Sequence, residues 1–307
     1  MFLKSKLYQA RQFVRYYLHA KTRYNIQTPF AYNFIENVIE NTKRFYAFDA
    51  IEGVRKSLLD EKLSIEVVDF GAGSQTVTTK MRRVKDIAHS ALSAPFECRW
   101  LFNIVNEYQP RNILELGTSL GISTLYLNAA SNAEAKIFTL EGDLNIAHLA
   151  QQNWQRANYL LMQYTLAKYD GVTPELESRL ENDIAISQPN IKLIEGNFDD
   201  TLPTTLKTLQ QIDLAFIDGN HRYDATINYF KQILPYTKTN TILIFDDIYW
   251  SEDMTRAWNE IKIHPTVRFS IDLFWCGIVF FNTDILTPQH LTLIRAKLKP
   301  FKFGWSF

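Results

Sequence analysis

Several acidic residues in the second half of the chain stand where carboxylates could bind hydroxyl groups or a cation. They are Glu141, Asp218, Asp246 and Asp247, and each follows an apolar run. His221 lies three positions after Asp218, and its imidazole titrates near neutral pH, so it could take up a proton. A structural role is the alternative: Asp246 and Asp247 could cap the next helix, Asp218 could form a turn, and His221 could be a surface histidine.

The apolar runs before these acids alternate with helical patterns, which predicts a parallel sheet with right-handed crossovers. The predicted strands cover residues 113–116, 136–140, 191–194, 212–217, 241–245, 267–273 and 277–281. Only a short connection joins the last two, so the final strand is expected to be antiparallel. The predicted fold is α/β, a Rossmann-like doubly wound, mostly parallel seven-stranded sheet with an antiparallel last strand. Ligands of such sheets bind at the carboxyl ends of the strands, where the acids lie.

The stretch from Asn112 to Ala130 predicts a strand, a tight turn and a helix. Gly117 and Gly121 frame the turn, and the exposed amides at such a helix start favour an anionic ligand group. Glu141 lies 24 positions after Gly117, where an acid can accept hydrogen bonds from a ribose diol. The spacing lacks the third glycine of a dinucleotide site, which disfavours a dehydrogenase.

A second glycine pair, Gly71 and Gly73, also follows an apolar run, at residues 65–77. A basic helix over residues 80–85 is predicted next, with no second strand before Pro95. This pair is therefore interpreted as a structural turn, with a loop lining the substrate side of the site as the alternative.

Residues 1–89 are predicted to form a helical extension, and residues 90–307 the main domain with an insertion at about 161–190. Residues 1–24 are basic and amphipathic. They predict a helix on the core or on a second subunit, which would make a homodimer, and an anionic membrane surface is the alternative. Further helices are expected at residues 28–39, 48–59 and 96–108, and one at 174–180 within the insertion.

Composition narrows the class of protein. Lysine plus arginine and aspartate plus glutamate number 33 each, so no global charge favours a nucleic-acid partner. The two cysteines, Cys98 and Cys276, lack disulfide or metal-site spacing, and no apolar run of about 18 residues could span a bilayer. A reducing, cytoplasmic setting is expected.

Five motifs together resemble class I S-adenosylmethionine-dependent methyltransferases, in particular the metal-dependent O-methyltransferase branch of catechol-type and sugar enzymes. They are LELGTSLGIS (114–123), TLEGD (139–143), LIEGNFDDTLP (193–203), FIDGNHRYDATINYF (216–230) and LIFDDIYW (243–250). The resemblance covers roughly residues 90–281 and leaves the N-terminal section outside.

The resemblance implies roles for individual residues. Those expected at the cofactor are Glu115, Gly117, Thr118, Ser119, Gly121, Ser123, Glu141, Gly142, Asn197, Phe198, Asp199 and Asp218. Those expected to bind Mg²⁺ or another divalent cation are Asp218, Asp246 and Asp247. His221, with Asp218, is expected to act in catalysis as the base. The catechol-type branch often carries Asp-Asn where this chain has Asp246-Asp247, which argues against a catechol acceptor.

The predicted function is therefore methyl transfer from S-adenosylmethionine to a hydroxyl of a small molecule or sugar, assisted by a divalent cation. Such a cation would relieve the repulsion among the three aspartates and lower the pKa of the acceptor hydroxyl. The alternatives are a nicotinamide-dependent oxidoreductase and a non-catalytic protein that binds an adenosyl ligand. Aromatic residues expected near the mouth of the site are Tyr223, Tyr249, Trp250 and Trp275.

Overall fold

The computed structural model describes residues 2–69, 78–166, 190–283, 285 and 287–299 of the 307-residue chain. The helices are α1 (Phe2–His19), α2 (Pro29–Phe34), α3 (Tyr46–Asp60), α4 (Val84–Ala91), α5 (Pro95–Tyr108), α6 (Ile122–Ala130), α7 (Leu144–Leu166), α8 (Phe198–Leu209), α9 (Tyr223–Ile233) and α10 (Glu252–Lys262). The strands are β1 (Ser64–Asp69), β2 (Thr78–Arg83), β3 (Asn112–Leu116), β4 (Lys136–Glu141), β5 (Ile191–Glu195), β6 (Leu214–Ile217), β7 (Ile242–Asp246), β8 (Phe269–Asp272), β9 (Cys276–Phe280) and β10 (Gln289–Thr292). The helix predicted at 174–180 and the glycine pair at 71 and 73 lie outside the described residues.

The chain divides into two compact units. The split unit combines Met1–Thr42 with Gln211–Phe307, and the central unit is Lys43–Gln210. These limits differ from the predicted boundary at residue 89, which stays a prediction.

In the central unit, β3, β4 and β5 pair in parallel with β4 in the middle. Ile113, Leu114 and Leu116 of β3 are fully buried, as expected for a parallel strand covered on both faces. The register places Glu141 opposite Glu195. The carboxyl ends of β4 and β5 therefore meet at one edge, where the sequence predicted the cofactor.

Aromatic side chains join the helices of the central unit. Phe48 of α3 lies 4.8 Å from Phe102 of α5 and 5.2 Å from Tyr126 of α6, between ring centroids. Such pairs stabilise a core by about 0.5–1.5 kcal/mol beyond their buried area. Helix α3, which precedes residue 89, therefore shares a core with α5 and α6.

Strands β1 and β2 precede and follow the first glycine pair in the sequence. β1 and β2 pair antiparallel, from Ser64 opposite Arg83 to Asp69 opposite Thr78. The basic helix predicted over residues 80–85 is wrong for Lys80 to Arg83, which pair with β1 as strand β2, whereas Val84 and Lys85 begin helix α4. The prediction of no second strand before Pro95 is wrong as well, because pairing with β1, and not a local pattern, defines β2. Since β2 is antiparallel to β1, this segment is not a βαβ unit. This agrees with the prediction that β3, and not β1, is the strand that leads into the ligand-binding turn.

In the split unit the strand order is β10-β8-β9-β7-β6. β6 and β7 are parallel, β9 is antiparallel to both β7 and β8, and β10 is parallel to β8. The Rossmann-like, mostly parallel α/β class with an antiparallel β9 is confirmed. Apart from the β1–β2 pair, the described residues form eight strands where seven were predicted, because β10 (QHLT) is polar, half-exposed and marked by no apolar run.

The predicted N-terminal helix is present as α1 and packs within the split unit. The hydroxyl of Tyr16 donates a hydrogen bond to the carbonyl of Leu293 in the C-terminal part of the chain. Dimerisation through this helix stays a prediction. Among the described residues, no helix combines the length and the apolarity needed to cross a membrane.

Candidate functional site

The loop between β3 and α6 is a tight turn whose shape depends on left-handed residues. Gly117, Ser119 and Gly121 have φ values of 102°, 49° and 80°. Glycine adopts such angles without the clash that a Cβ causes. The amides of Gly117 and Thr118 both donate to the carbonyl of Leu140, at 3.0 and 3.1 Å. The turn is thereby joined to the end of β4.

Helix α7 holds the same turn from the other side. Trp154 Nε1 donates to the carbonyl of Gly121 at 3.0 Å, and Asn153 Nδ2 donates to the carbonyl of Leu120 at 2.9 Å. A Cβ on Gly121 would lie 2.4 Å from Trp154 Nε1. Asn153 and Trp154 were not predicted from the sequence, because each contacts a residue 33 positions away and no local pattern marks such a contact.

Glu141, the predicted ribose-binding acid, is fixed in orientation by two backbone amides. Its Oε2 accepts from the amide of Ser119 at 2.8 Å, and its Oε1 accepts from the amide of Asp143 at 3.0 Å. Burial raises the pKa of Glu141, and these amide hydrogen bonds oppose that shift. Each carboxylate oxygen has two lone pairs, so both can accept one more hydrogen bond. Gly142, which has no side chain, separates Glu141 from Asp143.

Glu115 is fully buried beneath the turn. Its Oε2 accepts from the hydroxyls of Thr124 at 2.5 Å and Thr139 at 2.6 Å. The Thr139 proton is thus engaged, so Thr118 is the donor in the 2.5 Å hydroxyl pair between Thr118 and Thr139. Within the described residues Glu115 Oε1 has no hydrogen-bond partner, and burial raises the pKa of this carboxyl group. Thr118 and Ser123 are also buried, so the Thr118 side chain supports the turn from below.

In the segment after β5, one of the residues predicted to bind the cofactor has a structural role. Asn197 is the N-cap of α8, and its side-chain oxygen accepts from the amide of Asp199 at 3.1 Å. The amide of Gly196 donates to the carbonyl of Glu141 at 2.9 Å, which brings this segment to the end of β4. Phe198 is half-buried and Asp199 is exposed there. These residues therefore stand at the predicted edge, with the side-chain oxygen of Asn197 already engaged.

The split unit brings His221 close to two of the predicted acids. His221 Nε2 lies 3.6 Å from Asp218 Oδ1 and 3.9 Å from Asp247 Oδ2. The three side chains are 29%, 15% and 35% exposed, respectively. Burial lowers the pKa of His221, and the charge of Asp247 opposes this shift. A neutral imidazole is therefore favoured, and such a group can accept a proton.

Asp246 ends β7 and is half-buried. The helix after it is capped by Ser251, whose Oγ accepts from the amide of Met254 at 3.2 Å. The alternative that Asp246 and Asp247 cap this helix is therefore wrong. In the described part of the chain no group of three or more His, Cys, Asp or Glu residues is placed to hold a metal ion. Metal binding by Asp218, Asp246 and Asp247 thus stays a prediction.

Strained backbone conformations occur in the glycine turn and close to His221. Among the described residues, the non-glycine residues with positive φ are Gln109, Ser119, Gln210, Asn220, Asp247 and Phe274. The two glutamines are C-caps of α5 and α8, where this conformation is common. Ser119 lies in the glycine turn, Asn220 precedes His221, and Asp247 lies near His221. Each such residue costs about 1–3 kcal/mol, and strain of this kind clusters at functional sites.

Three of the four aromatic residues expected near the mouth of the site line one cavity, and the fourth, Tyr223, does not. Tyr223 donates its hydroxyl proton to Glu260, and the Arg256 guanidinium lies 3.7 Å over its ring, so Tyr223 belongs to an exposed cluster on α9 and α10. The other three line a cavity together with Asp247; they are Tyr249, Trp250 and Trp275. Tyr223 does not line this cavity, and its place near the mouth of the site stays a prediction.

Comparisons with known proteins agree with the motif pattern. Residues 114–248 match the family described as "Methyltransferase domain". A catechol O-methyltransferase from Niastella koreensis is 26% identical over 155 residues, which are 50% of this chain and 57% of that protein. A putative O-methyltransferase from Klebsiella pneumoniae has a solved structure with a TM-score of 0.50 at 16% identity, covering 80% of this chain and 93% of that one. An O-methyltransferase from Bacillus cereus in complex with SAH has a TM-score of 0.49 at 16% identity, covering 81% and 96%.

The matched family segment begins in β3 and ends just after β7. It contains the glycine turn, Glu141, Asp218, His221 and Asp247. The Klebsiella structure supports the fold, and the chain spans 57% of the length of the curated relative. Helix α1 and strands β8 to β10 lie outside the matched segment.

Proposed function

We propose that this chain, whose residues 114–248 match the family described as "Methyltransferase domain", is a class I S-adenosylmethionine-dependent methyltransferase that transfers a methyl group from S-adenosylmethionine to a hydroxyl of a small molecule. The observation that carries the proposal is the orientation of Glu141, fixed by the amides of Ser119 and Asp143 at the carboxyl end of β4. An acid in this position accepts hydrogen bonds from ribose hydroxyls. An adenosyl ligand therefore fits this edge of the central unit.

The central unit would hold the methyl donor through two acids. Glu141 keeps acceptor capacity for the ribose, as described above. Glu115 leaves Oε1 buried and without a partner in the described residues, and an unpaired buried acceptor is costly. A donor group of the ligand, such as the ammonium of its methionine part, or a water bound to it, would supply the missing hydrogen bond. The sulfonium of S-adenosylmethionine supplies an electrophilic methyl group.

The split unit would handle the proton of the acceptor. The acceptor hydroxyl gives its proton to Nε2 of His221, which burial keeps neutral, and its oxygen forms the new bond to the methyl carbon. The carbon–sulfur bond breaks and its electron pair stays on sulfur. Asp218 and Asp247, within 4.0 Å of Nε2, then stabilise the charged imidazolium.

The proposal also includes assistance by a divalent cation at Asp218, Asp246 and Asp247. Asp218, Asp246 and Asp247 have the oxygen chemistry that magnesium prefers, but the described residues contain no group of three placed to hold an ion. No step is therefore assigned to a metal. Turnover that is unchanged by EDTA would contradict metal assistance, and loss that magnesium restores would support it.

The proposed acceptor is a hydroxylated small molecule, a class that includes sugars. The nicotinamide-dependent alternative is not favoured, because the turn lacks the third glycine of a dinucleotide site and the matched family is a methyltransferase domain. A non-catalytic adenosyl-binding protein would keep Glu141 but would not need His221.

Thermal unfolding with S-adenosylhomocysteine and with NAD tests the choice of ligand. A ligand at 100 times its dissociation constant stabilises the protein by about 2.7 kcal/mol, which corresponds to roughly 4 °C for a chain of 307 residues. We expect this rise in Tm with S-adenosylhomocysteine and none with NAD. The opposite pattern would exclude the methyltransferase proposal.

Paired variants test the two acid–base roles. Glu141→Gln should weaken S-adenosylhomocysteine binding at least tenfold by calorimetry, whereas Glu134→Gln, at a 76% exposed side chain, should not change it. His221→Gln should lower kcat by about 10²–10⁴-fold while leaving that affinity intact. The exposed His89→Gln is the matched control. Full kcat in His221→Gln would remove His221 from the mechanism.

A further inference from the structure

A cavity of about 510 Å³ lies in the split unit between α1 and the loops that follow β7 and β8. Its size falls in the range of about 300–1,000 Å³ that small-molecule sites occupy. Nine residues line it, namely Lys6, Gln9, Ala10, Phe13, Asp247, Tyr249, Trp250, Phe274 and Trp275. Five of the nine are aromatic and three, Lys6, Gln9 and Asp247, are polar, so the cavity offers mainly ring faces and ring edges.

Helix α1 is a fixed wall of this cavity, because hydrogen bonds hold it near its middle and at its end. Near the middle, Tyr8 donates its hydroxyl proton to Thr255 Oγ1 at 2.8 Å, and Gln9 Nε2 donates to the carbonyl of Trp250 at 3.1 Å. At its end, Lys299 Nζ donates to three main-chain carbonyls at 2.8–3.2 Å. Such a wall needs no ordering when a ligand enters, which favours binding.

The aromatic wall is organised around Phe274. The Phe13 ring meets it edge to face at 5.0 Å, and the Tyr249 ring stacks on it at 5.3 Å. Tyr249 donates its hydroxyl proton to buried Asp272 at 2.6 Å, which fixes the plane of its ring. Phe274 has a φ of 71°, a conformation that costs a non-glycine residue about 1–3 kcal/mol. The fold therefore tolerates strain at Phe274, whose ring is 7% exposed and holds the Phe13 and Tyr249 rings in place.

The cavity also contains the acid that lies beside the proposed base. Asp247 lines it, and Asp247 Oδ2 is 3.9 Å from His221 Nε2. Phe13, Trp250 and Trp275 remain 42%, 49% and 43% exposed, so aromatic surface is available for a ligand. Aromatic rings bind one another by stacking and by edge-to-face contact, whereas a sugar needs many hydrogen-bonding groups.

We propose that this cavity is the acceptor site, that the acceptor is a planar aromatic compound with a hydroxyl group, and that Phe13 of α1 determines its selection. The proposal rests on the proposed methyl transfer and adds to it a substrate class and a helix that lies outside the matched family segment. The ring lies against the wall of Phe13 and Phe274, and the hydroxyl is at the Asp247 end.

The acceptor-site proposal is tested by measuring how tightly 2-naphthol and myo-inositol bind to the full chain in the presence of S-adenosylhomocysteine. Binding is measured by calorimetry and by quenching of tryptophan fluorescence. We expect 2-naphthol to bind at least tenfold more tightly than myo-inositol. Phe13→Ala should weaken 2-naphthol binding about tenfold and leave S-adenosylhomocysteine binding unchanged. The control is Leu7→Ala, at a 73% exposed side chain of the same helix, which should change neither constant by more than twofold.

Phe13→Leu separates the aromatic contribution from folding, because leucine keeps an apolar side chain on the helix without a ring face. It should lose most of the affinity that Phe13→Ala loses, at a melting temperature close to that of the unmodified chain. Equal binding of both probes, or unchanged 2-naphthol binding in Phe13→Ala, would overturn the acceptor-site proposal. Methyl transfer to myo-inositol at a rate that Phe13→Ala does not change would also overturn the acceptor-site proposal, while leaving the proposed function intact. Phe13-dependent binding of 2-naphthol without any methyl transfer would instead contradict the proposed function alone.

Discussion

Gly121→Ala should destabilise the protein and damage the cofactor turn. The φ of 80° at Gly121 costs an alanine about 1–2 kcal/mol. The new Cβ would lie 2.4 Å from Trp154 Nε1 and 3.1 Å from the Cβ of Ala150, an overlap that forces about 1–3 kcal/mol of rearrangement. Trp154 is buried and donates to the carbonyl of Gly121, so it cannot move without losing that hydrogen bond. We expect a total loss of about 2–5 kcal/mol.

Urea unfolding of Gly121→Ala beside Gly53→Ala measures this loss. Gly53 lies in α3 in the same unit, and its Cβ would meet only flexible side-chain ends, the nearest being Leu160 Cδ1 at 3.2 Å. Alanine there should change the free energy of unfolding by no more than about 1 kcal/mol, because it favours the helix. Calorimetry should show weaker S-adenosylhomocysteine binding for Gly121→Ala alone. A loss below about 1 kcal/mol together with normal affinity would refute the geometry given for this turn.

Two further changes test other parts of the structure. Burial raises the pKa of the Cys98 thiol from 9.0 to about 12, so stability is complete below pH 9 and falls as pH rises towards 12. The loss is about 1 kcal/mol at pH 10 by denaturant unfolding, and Cys98→Ala should flatten that part of the pH profile; an unchanged slope would contradict the burial. Lys299→Met removes the hydrogen bonds at the end of α1 and should weaken 2-naphthol binding, whereas S-adenosylhomocysteine binding should not change. If protease cleavage within α1 is no faster in this variant, Lys299 does not hold the helix.

Much of the candidate site could be predicted because its information is local. The run of Ile113, Leu114 and Leu116 before Gly117 marks a buried strand and a turn, and the structure has β3 and a left-handed Gly117 there. The position of Glu141 follows from a count along the chain, and the structure places it at the end of β4. The assignment of individual ligand contacts stays a prediction.

Other features depend on residues that are distant in sequence. The strand β2 was taken for a basic helix, since its exposed side chains carry no pattern and only pairing with β1 defines it. Ser251, not Asp246 or Asp247, caps α10, because several polar residues precede that helix and only the folded loop shows which one reaches the amide of Met254.

The sequence by itself determined the alternation of strands and helices, the turn at Gly117 and the acids at strand ends, because periodicity and short motifs act over a few residues. Only the tertiary structure decided that Asn153 and Trp154 hold the turn, that His221 lies between Asp218 and Asp247, and that α1 walls an aromatic cavity. The physical reason is that these arrangements are made by side chains 3 to more than 200 positions apart, whose meeting is decided by packing and not by local conformational preference.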